Sequence, residues 1–419
     1  MTETRQSAAR RGTNLPRMGD FNLTVILDAI RRSESGLSRV ELAQIVGLSP
    51  QTISNISRRL LDQKLIVEAG KEGSGPGKPR TILRLNPKGM YAVGVHLDPS
   101  IITVVLLDLV GAIVAQDMFV TPRSHEPAEV VGAIAECVER LLAGSRVPRN
   151  LVAGIGVAAP GPIDLERGAV VGPPLLQGWV DVPLQAMVQE ATGLETTMDK
   201  DVTGAAVAEI WAGTPGGTDS FAFFYLGTGL GAGLVLNGEV YRGSSGNAGE
   251  IGHIVVDPDG PECFDGCGMR GTIATMLEPA RIVGSAIEAG VLPPFSGEPT
   301  AADFQEAFSR LNRLVVEGDE QAVQILRSAV QDMARAASVV GNMLDVGRMV
   351  FGGPFWASVA EYCLAVMPDM VNEHLATRGI HRVEIVGTGL GDDVGAVGAA
   401  CLVLERAWAP RAERLLLGG

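Results

Sequence analysis

One stretch of the chain combines a histidine with two cysteines in a Gly-rich segment. Residues 248–272 read AGEIGHIVVDPDGPECFDGCGMRGT, so His253 is followed by Cys263 and Cys267. Imidazole and thiolate groups are typical zinc ligands, and a closed structural zinc site needs four ligands. A fourth ligand is not obvious from the sequence, and Asp265 is one candidate for it. The alternative is a loop that folds by packing and hydrogen bonds alone, and both interpretations stay open at this point.

Two carboxylates, one in this stretch and one earlier in the chain, suit the binding of a polar ligand. Asp201 lies between a predicted strand and a predicted helix in MDKDVTGAAVAE, where it suits a general base, an acceptor for a hydroxyl group or a helix cap. Glu250 and His253, three residues apart in GEIGH, fit either a cleft or an exposed surface. The Gly-rich residues 227–233 would let backbone N–H groups approach a phosphate or a sugar hydroxyl.

Residues 39–58, RVELAQIVGLSPQTISNISR, have the pattern of two helices joined by a tight turn. Gly47 suits the left-handed cap of the first helix, and Ser49 and Pro50 suit the start of the second. This arrangement predicts a helix-turn-helix, completed by an upstream helix at about 21–32. Its core would come from two apolar stripes at helical spacing: Leu42, Ile45 and Val46 on the first helix, and Ile53, Ile56 and Leu60 on the second.

The second helix presents polar groups opposite its apolar stripe. Such groups hydrogen-bond base edges or hold phosphates. Strand patterns follow at 64–70 and 80–87, joined by a wing rich in Gly and Lys. We therefore predict a winged helix-turn-helix with its second helix in the major groove; the alternative is a three-helix module with no DNA contact. The predicted DNA-binding residues are Ser49, Gln51, Thr52, Ser54, Asn55, Arg58, Lys78 and Arg80.

The distribution of charge agrees with a DNA-binding head. Residues 1–90 hold 15 Lys and Arg against 8 Asp and Glu, whereas the remaining chain holds 19 against 40. A basic head on an acidic body indicates that only the head meets a polyanion. Five cysteines scattered over 419 residues argue against a disulfide framework. With no secretory signal and no long apolar run, we expect a cytoplasmic protein that is nucleoid-associated when bound to DNA.

The acidic body repeats one pattern. Residues 91–116 and 220–243 each predict strand, turn, strand, turn, strand, and helices are predicted after them at 128–143 and 272–289. Such a duplication predicts two similar lobes with a ligand cleft between them. The first repeat bends at Asp98-Pro99-Ser100, without the glycines of the second repeat.

Together these motifs resemble the ROK family, which includes sugar kinases, sugar-responsive repressors and proteins of unknown role. The likeness runs over about residues 17–405 through PGPID, GTGLGAG, GEIGH, the Cys-Gly loop, FGG at 351–353 and GAVGAA at 395–400. It implies an α/β fold in which an N-terminal winged helix-turn-helix precedes a two-lobed, actin-like (ribonuclease-H-type) body. The expected divisions are a polar tail at 1–19, the DNA-binding domain at 20–88 and the body at 89–419, with lobe one at about 89–204 plus the C-terminal helix and lobe two at about 205–400.

The resemblance also implies roles for single residues. Asp201 matches the family's catalytic base, Glu250 and His253 match sugar contacts, and residues 227–231 match a phosphate segment. His253 is also linked, in the family, to a zinc loop with three cysteines. The predicted effector site is Gly161, Lys200, Asp201, Glu250 and His253, and the predicted metal site is His253, Cys263 and Cys267.

Several positions depart from the family's pattern. The first phosphate segment, normally Asp-x-Gly-Gly-Thr, reads DPSII at 98–102, which removes backbone donors for ATP phosphates. Lys200 replaces an Asn, Thr272 replaces the third Cys and Ala274 replaces a sugar-contacting Glu. Lys200 leaves two alternatives: an anionic effector, or an ion pair with Asp201 or Glu250 that fills the site.

We therefore predict a transcriptional regulator of the xylose and N-acetylglucosamine repressor type, controlled by a sugar or sugar derivative in the inter-lobe cleft. It would bind a double-stranded operator as a homodimer or tetramer, with no ATP, no catalysis and no membrane partner. Zinc is the one cofactor that the sequence leaves open. The alternatives are a ROK sugar kinase with an added DNA-binding domain, which Asp201 and the Gly-rich turn favour, and an effector-independent DNA-binding protein whose body only dimerises.

Overall fold

The computed structural model describes residues 15–72, 79–122, 126–174, 176, 178–213, 219–227 and 229–408. Within these ranges the chain forms an N-terminal head followed by two sheets with their helices. None of the helices described there has the length and apolar character needed to cross a bilayer.

The head is a three-helix unit with a wing. Its third helix is followed by two antiparallel strands. A short strand between the first and second helices pairs with the later of these two strands. The elements are α1 (Leu15–Arg31), β1 (Leu37–Ser38), α2 (Arg39–Val46), α3 (Pro50–Asp62), β2 (Ile66–Glu72) and β3 (Arg80–Leu85).

The turn chemistry of the predicted helix-turn-helix is confirmed. Gly47 adopts the left-handed conformation at φ 67° that ends α2, and the Ser49 side chain accepts the Thr52 N–H at 3.2 Å to begin α3. Two details were wrong. Helix α1 already includes residues 15–20. Ile45, placed in the buried stripe, is 61% exposed, because the eight-residue α2 meets the head core mainly through Leu42.

The body contains two five-stranded sheets of the same topology, which confirms the predicted duplication. In each sheet the first three strands are antiparallel neighbours, and the fourth and fifth strands extend the sheet parallel to the first. Sheet one contains β4 (Tyr91–Leu97), β5 (Ile101–Asp108), β6 (Ile113–Val120), β7 (Val152–Ala159) and β10 (Thr196–Lys200), with a separate ribbon of β8 (Ile163–Asp164) and β9 (Ala169–Val170). Sheet two contains β11 (Phe221–Leu226), β12 (Leu230–Leu236), β13 (Glu239–Val240), β14 (Arg348–Gly352) and β15 (Glu384–Gly387).

Helices cover both sheets. The predicted helix at 272–289 is two helices, because Pro279 lacks the N–H that a continuing helix would use and instead begins the second one. The helices are α4 (Pro127–Ser145), α5 (Leu184–Thr192), α6 (Asp201–Ala212), α7 (Ile273–Met276), α8 (Pro279–Glu288), α9 (Ala301–Val316), α10 (Glu320–Leu344), α11 (Pro354–Glu373) and α12 (Val394–Trp408).

Helices α6 and α12 each follow the last strand of a sheet and pack against each other. Glycine permits the close crossing: a Cβ on Gly398 would overlap the backbone of Gly204, and a Cβ on Gly156 in β7 would overlap the carbonyl of Ala399. Helix α12 therefore lies directly on sheet one. This contact fixes the start of α6, and with it one wall of the cleft between the sheets.

A single apolar cluster extends from the head into the body. Residues of α1, α3 and β3 belong to the same contiguous cluster as residues of α6, α12 and both sheets. The head is thus packed on the body rather than hung from it by a linker. Members on the two sides include Leu23, Ile26, Ile30 and Leu85 of the head, and Ala205, Ala208, Cys401 and Leu404 of the body.

Candidate functional site

A cleft between the two sheets gathers all five residues predicted to bind an effector. Its first wall comes from the carboxyl ends of β4, β7 and β10, the edge at which ligands bind in open α/β sheets. Its second wall comes from the start of β12 and from the loop after β13. The predicted residues that line it are Gly161, Lys200, Asp201, Glu250 and His253.

Lys200 is buried and paired with Glu250. Its side chain is only 3% exposed, and its Nζ lies 2.5 Å from Glu250 Oε1 and 3.4 Å from the Ala248 carbonyl oxygen. Gly161 makes room for this pair, because a Cβ there would lie 3.1 Å from Lys200 Cε and 3.2 Å from Glu250 Oε1. Of the two alternatives for Lys200, the structure contains the ion pair.

Asp201 is the first residue of α6, and its carboxylate faces the cleft. The preceding Lys200 occupies the N-cap position, and Asp201 Oδ1 accepts the Val202 N–H at 2.7 Å. Burial raises the pKa of Asp201, although the neighbouring His96 acts in the opposite direction. Because the Val202 N–H engages only Oδ1, the other oxygen of this cleft-lining carboxyl group can accept a hydrogen bond from a ligand hydroxyl group.

The electrostatic character of the cleft is acidic. Carboxyl groups of Asp98, Asp201, Glu250 and Asp265 line it, whereas Lys200 is its single Lys or Arg among the residues described. Glu250 already compensates the Lys200 charge. A neutral, hydroxyl-rich ligand is therefore favoured over an anionic one.

Each bend next to the cleft has one backbone donor that is already used within the bend. The Gly227 N–H donates to the Gly229 carbonyl oxygen at 3.0 Å. At the other bend, the Ser100 N–H donates to Asp98 Oδ1 at 2.8 Å. Neither group is free to hold a phosphate without breaking an existing hydrogen bond.

Two residues that sequence reasoning missed hold the walls together. Asn247 accepts the Ile163 N–H and donates to the Ile163 carbonyl oxygen, both at 2.8 Å. Arg242 Nε lies 2.7 Å from Asp199 Oδ2 and joins the loop after β13 to β10. An Asn in a Gly- and Ser-rich loop is a recognisable signal, but no spacing rule indicates a partner 84 residues away.

The His-Cys loop brings four ligand atoms together. Four ligand atoms lie within 4.8 Å of one another, one from each of His253, Cys263, Asp265 and Cys267. His253 Nε2 lies 2.6 Å from Asp265 Oδ2, and Asp265 Oδ1 accepts the Cys267 N–H at 2.9 Å. Hydrogen bonds, first from Cys263 and then from Cys267 and His253, hold the pKa of Asp265 far below its usual range.

Thr272, where the third cysteine was expected, is fully buried beside this cluster. Its hydroxyl donates to Cys263 Sγ at 3.3 Å and lies 3.0 Å from Thr275 Oγ1. Asp265 supplies the fourth ligand atom of the cluster. The donor set of one imidazole, two thiols and one carboxylate suits tetrahedral zinc.

Helix α3 carries most of the predicted DNA-binding residues. Gln51, Asn55 and Arg58 are exposed, and the Gln51 amide donates to Asn55 Oδ1 at 3.2 Å. Thr52 and Ser54 are half-buried, and the Ser54 hydroxyl donates to the carbonyl of its own helix at Pro50, 2.8 Å away. Ser49 is exposed at the N-cap of α3 and Arg80 is exposed at the start of β3, whereas Lys78 lies outside the described residues.

Helix α6 connects the cleft with the head. It begins at Asp201, and its last turn receives Arg31 from the end of α1. The Arg31 guanidinium donates to the Trp211 and Ile210 carbonyl oxygens at 2.9 and 3.2 Å and stacks on the Trp211 ring at 4.5 Å. Its side chain is 9% exposed and also pairs with Asp28 at 2.7 Å.

Comparison with known proteins matches this architecture. Residues 92–406 match the ROK family model and residues 25–67 match a model of winged helix-turn-helix DNA-binding domains. The chain is 22% identical over 375 residues to the xylose repressor of Caldicellulosiruptor bescii, with 88% of this chain and 92% of that one covered. It is 27% identical over 320 residues to a glucokinase of Thermotoga maritima, with 75% and 97% covered.

A solved structure gives the same result for the fold. It is a ROK family transcriptional regulator described as a homolog of the E. coli MLC protein, with a TM-score of 0.74 at 24% identity over 96% of this chain and 98% of that one. The predicted fold class, a winged helix-turn-helix before a two-lobed α/β body, is confirmed. Because the family model also spans most of the chain, this protein is a member of the ROK family.

Proposed function

We propose that this protein is a sequence-specific transcriptional repressor whose operator binding is controlled by a neutral sugar in the inter-lobe cleft. The observation that carries the proposal is helix α6, which has the cleft residue Asp201 at one end and the head residue Arg31 bound at the other. A ligand that changes the position of the α6 N-terminus would alter the support of α1. A ligand that binds more tightly to one position of α6 than to another would therefore favour one state of the head.

The DNA contact is proposed for the exposed face of α3. Asn55 and Gln51 present amides that can pair with an adenine edge, and Arg58 can reach a guanine or a phosphate. Two heads would read two half-sites, so we propose a homodimer or a tetramer on a palindromic operator. Such a regulator acts in the cytoplasm, on the nucleoid.

The sugar is proposed to be neutral because the cleft is acidic and Lys200 is already paired. Asp201 and Glu250 are suited to accept hydroxyl hydrogen bonds, and His253 lies beside them. The xylose repressor among the relatives supports xylose as a first candidate. Phosphoryl transfer is not proposed, since the DPSII segment lacks the glycine donors and the Gly227 N–H is already engaged.

Zinc is proposed as a structural ion of the cleft wall. His253, Cys263, Asp265 and Cys267 would hold it, and their donor atoms lie close enough to close one tetrahedron. The ion would supply no reaction step. It would brace the loop and fix the His253 ring at the edge of the cleft.

Operator binding tests the proposal. After mapping of the bound genomic DNA, fluorescence anisotropy would measure operator affinity with xylose, glucose and N-acetylglucosamine present or absent. We expect one neutral sugar to weaken binding and Asp201→Asn to abolish that response while leaving sugar-free binding intact. ATP turnover with any of these sugars would support the kinase alternative, and an operator affinity that no sugar changes would overturn the effector role.

A pair of α3 variants tests the DNA contact. Asn55→Ala should cost about 1–3 kcal/mol of operator binding, the usual size of a lost bidentate base contact. Gln63→Ala is the matched control, because its amide is exposed at the opposite end of α3 and outside the predicted set of DNA contacts. Equal losses in both variants would contradict base reading by Asn55.

A further inference from the structure

A second cavity lies beside the sugar cleft, inside the lobe built on sheet two. Helices α8, α9, α10 and α11 enclose it, and its volume is about 100 Å³. For comparison, apolar cavities of roughly 150 Å³ take up benzene. The space has about two thirds of that volume, so it suits a branched alkyl group directly and an aryl ring after a small shift of flexible lining side chains such as Met333.

The lining of this second cavity is almost entirely apolar. Among the residues described, Glu278 is its single charged side chain, and no Lys or Arg lines it. A phosphate group would find no cation there, and a free sugar would lose its hydrogen bonds to water. The main apolar side chains are Leu277, Ile282, Phe308, Val330, Met333, Phe355 and Val359.

The two cavities have a common wall. Gly229, Leu230, Phe264 and Ala274 line both of them. Phe264 is an aromatic residue left 46% exposed at this boundary, and among the described residues beyond its chain neighbours no atom lies within 4 Å of the Cβ position of Gly229. Ala274, which replaces an expected Glu, also contributes a methyl group where a carboxylate would have made the shared boundary polar.

We propose that the natural effector is a sugar carrying an apolar substituent, either an aryl or a branched alkyl group, that occupies the cavity in the second lobe. This inference rests on the proposed function, because it assumes that the sugar part binds in the cleft. The substituent adds apolar burial to the hydroxyl contacts of the sugar. Selectivity would then come from a part of the ligand that the acidic residues do not touch.

Calorimetric titration of the full-length protein tests the proposal with matched ligands. The methyl and phenyl β-glycosides of xylose, glucose and N-acetylglucosamine differ only in the substituent. We expect the phenyl glycoside of the preferred sugar to bind at least about tenfold more tightly than its methyl glycoside, since each buried CH₂-sized group contributes a factor of about four. Equal affinities would overturn the proposal and leave the sugar-controlled repressor intact.

A substitution that fills the cavity tests whether the phenyl preference arises there and not from a general change in sugar binding. Ala329 lines the cavity from α10, so Ala329→Leu should remove the phenyl preference and leave the methyl glycoside affinity unchanged. Ser328→Leu is the matched control, because Ser328 is the preceding residue of the same helix and its side chain is exposed. If Ala329→Leu does not fold, the comparison of phenyl and methyl glycosides in the native protein still decides.

Two further outcomes would overturn the proposal in distinct ways. ATP that binds without sugar and competes with the phenyl glycoside would make the cavity a nucleotide site. Failure of every glycoside to bind, while a free sugar still weakens operator binding, would overturn this inference alone; failure of the free sugars as well would remove the effector role together with it. Loss of the phenyl preference alone would remove only the inference.

Discussion

Two residues that depart from the family's pattern are each matched by a neighbour. Lys200, in place of an Asn, is neutralised by Glu250, and Thr272, in place of a Cys, hydrogen-bonds Cys263. In both pairs the polar group in the cleft wall has a partner, although the residue differs from the family's. The cleft thus differs in chemistry from the family's pattern at two positions.

The Lys200–Glu250 pair predicts an asymmetric response to substitution. Glu250→Gln should lower the free energy of unfolding by about 3 kcal/mol, because it removes the carboxylate that is paired with the buried Lys200 ammonium. Lys200→Met should cost less than half as much, since Glu250 is half-exposed and can be solvated. Urea unfolding of both variants measures the difference. The double variant should recover most of the Glu250→Gln loss, and equal costs for the two single variants would contradict a buried, compensated Lys200.

The proposed zinc site predicts a response to metal removal. Native protein should contain about one zinc per chain, and chelation should lower its stability by about 3 kcal/mol or more, the size expected for a tightly bound ligand. Cys267→Ser should lose both the metal and the sensitivity to chelator. Elemental analysis and thermal unfolding provide the readouts.

A matched cysteine variant controls this experiment. Cys137→Ser alters another thiol, which is buried beside Asp117 and far from the loop in sequence. It should keep both zinc and chelator sensitivity. Metal-free native protein that is indifferent to chelators would instead indicate that hydrogen bonds alone hold the loop.

Single residues of the cleft were predictable because each had a local signal, but their pairings were not. Asp201 stands between a strand and a helix, and GEIGH has a recognisable spacing. The partner of Lys200 was left open between Asp201 and Glu250, since sequence gives no distance between residues 50 apart. The contacts of Asn247 and Arg242 were missed for the same reason.

At the scale of elements, alternation and turn residues predicted the strands well. Both three-strand repeats follow from apolar runs separated by Gly, Pro or Asn turns, and the structure contains both. The errors arose where tertiary packing or a single residue overrides periodicity. Pro279 divides one apolar stretch into α7 and α8, and the shortness of α2 leaves Ile45 in solvent.

Because α6 connects the cleft with the head, a substitution at this connection should weaken the response of DNA binding to sugar. Arg31→Met keeps the aliphatic stem but removes the hydrogen bonds to the end of α6. We expect operator affinity in the absence of sugar to change little, whereas the ratio of affinities without and with the active sugar should fall toward one. Coupling of this kind is typically about 1–3 kcal/mol, so the lost ratio is measurable by anisotropy.

The neighbouring arginine provides the control for that variant. Arg32 is exposed and its hydrogen bond and salt bridge go to Asp28 within α1. Arg32→Met should therefore retain the sugar response. A full response in Arg31→Met, or an equal loss in both variants, would mean that α6 does not carry the signal through Arg31.

At the scale of the whole molecule, the head and the body share one apolar cluster. Sequence indicated separate domains from the change of charge and pattern near residue 90, but it could not show that α1 packs on α6 and α12. That packing follows from side chains distant in sequence, such as Ile26 and Leu404. The head is consequently packed on the body through apolar side chains of both.

This continuity predicts that the head depends on the body for its stability. A fragment of residues 1–88 should unfold at lower temperature than the head does in the intact chain, because it exposes the face of α1 that the body covers. Circular dichroism of the fragment and hydrogen exchange of α3 amides in the full-length protein give the two stabilities. If the fragment proves as stable as the intact head, the shared cluster contributes no cooperativity, and control of DNA binding would have to act through the orientation of a rigid head instead.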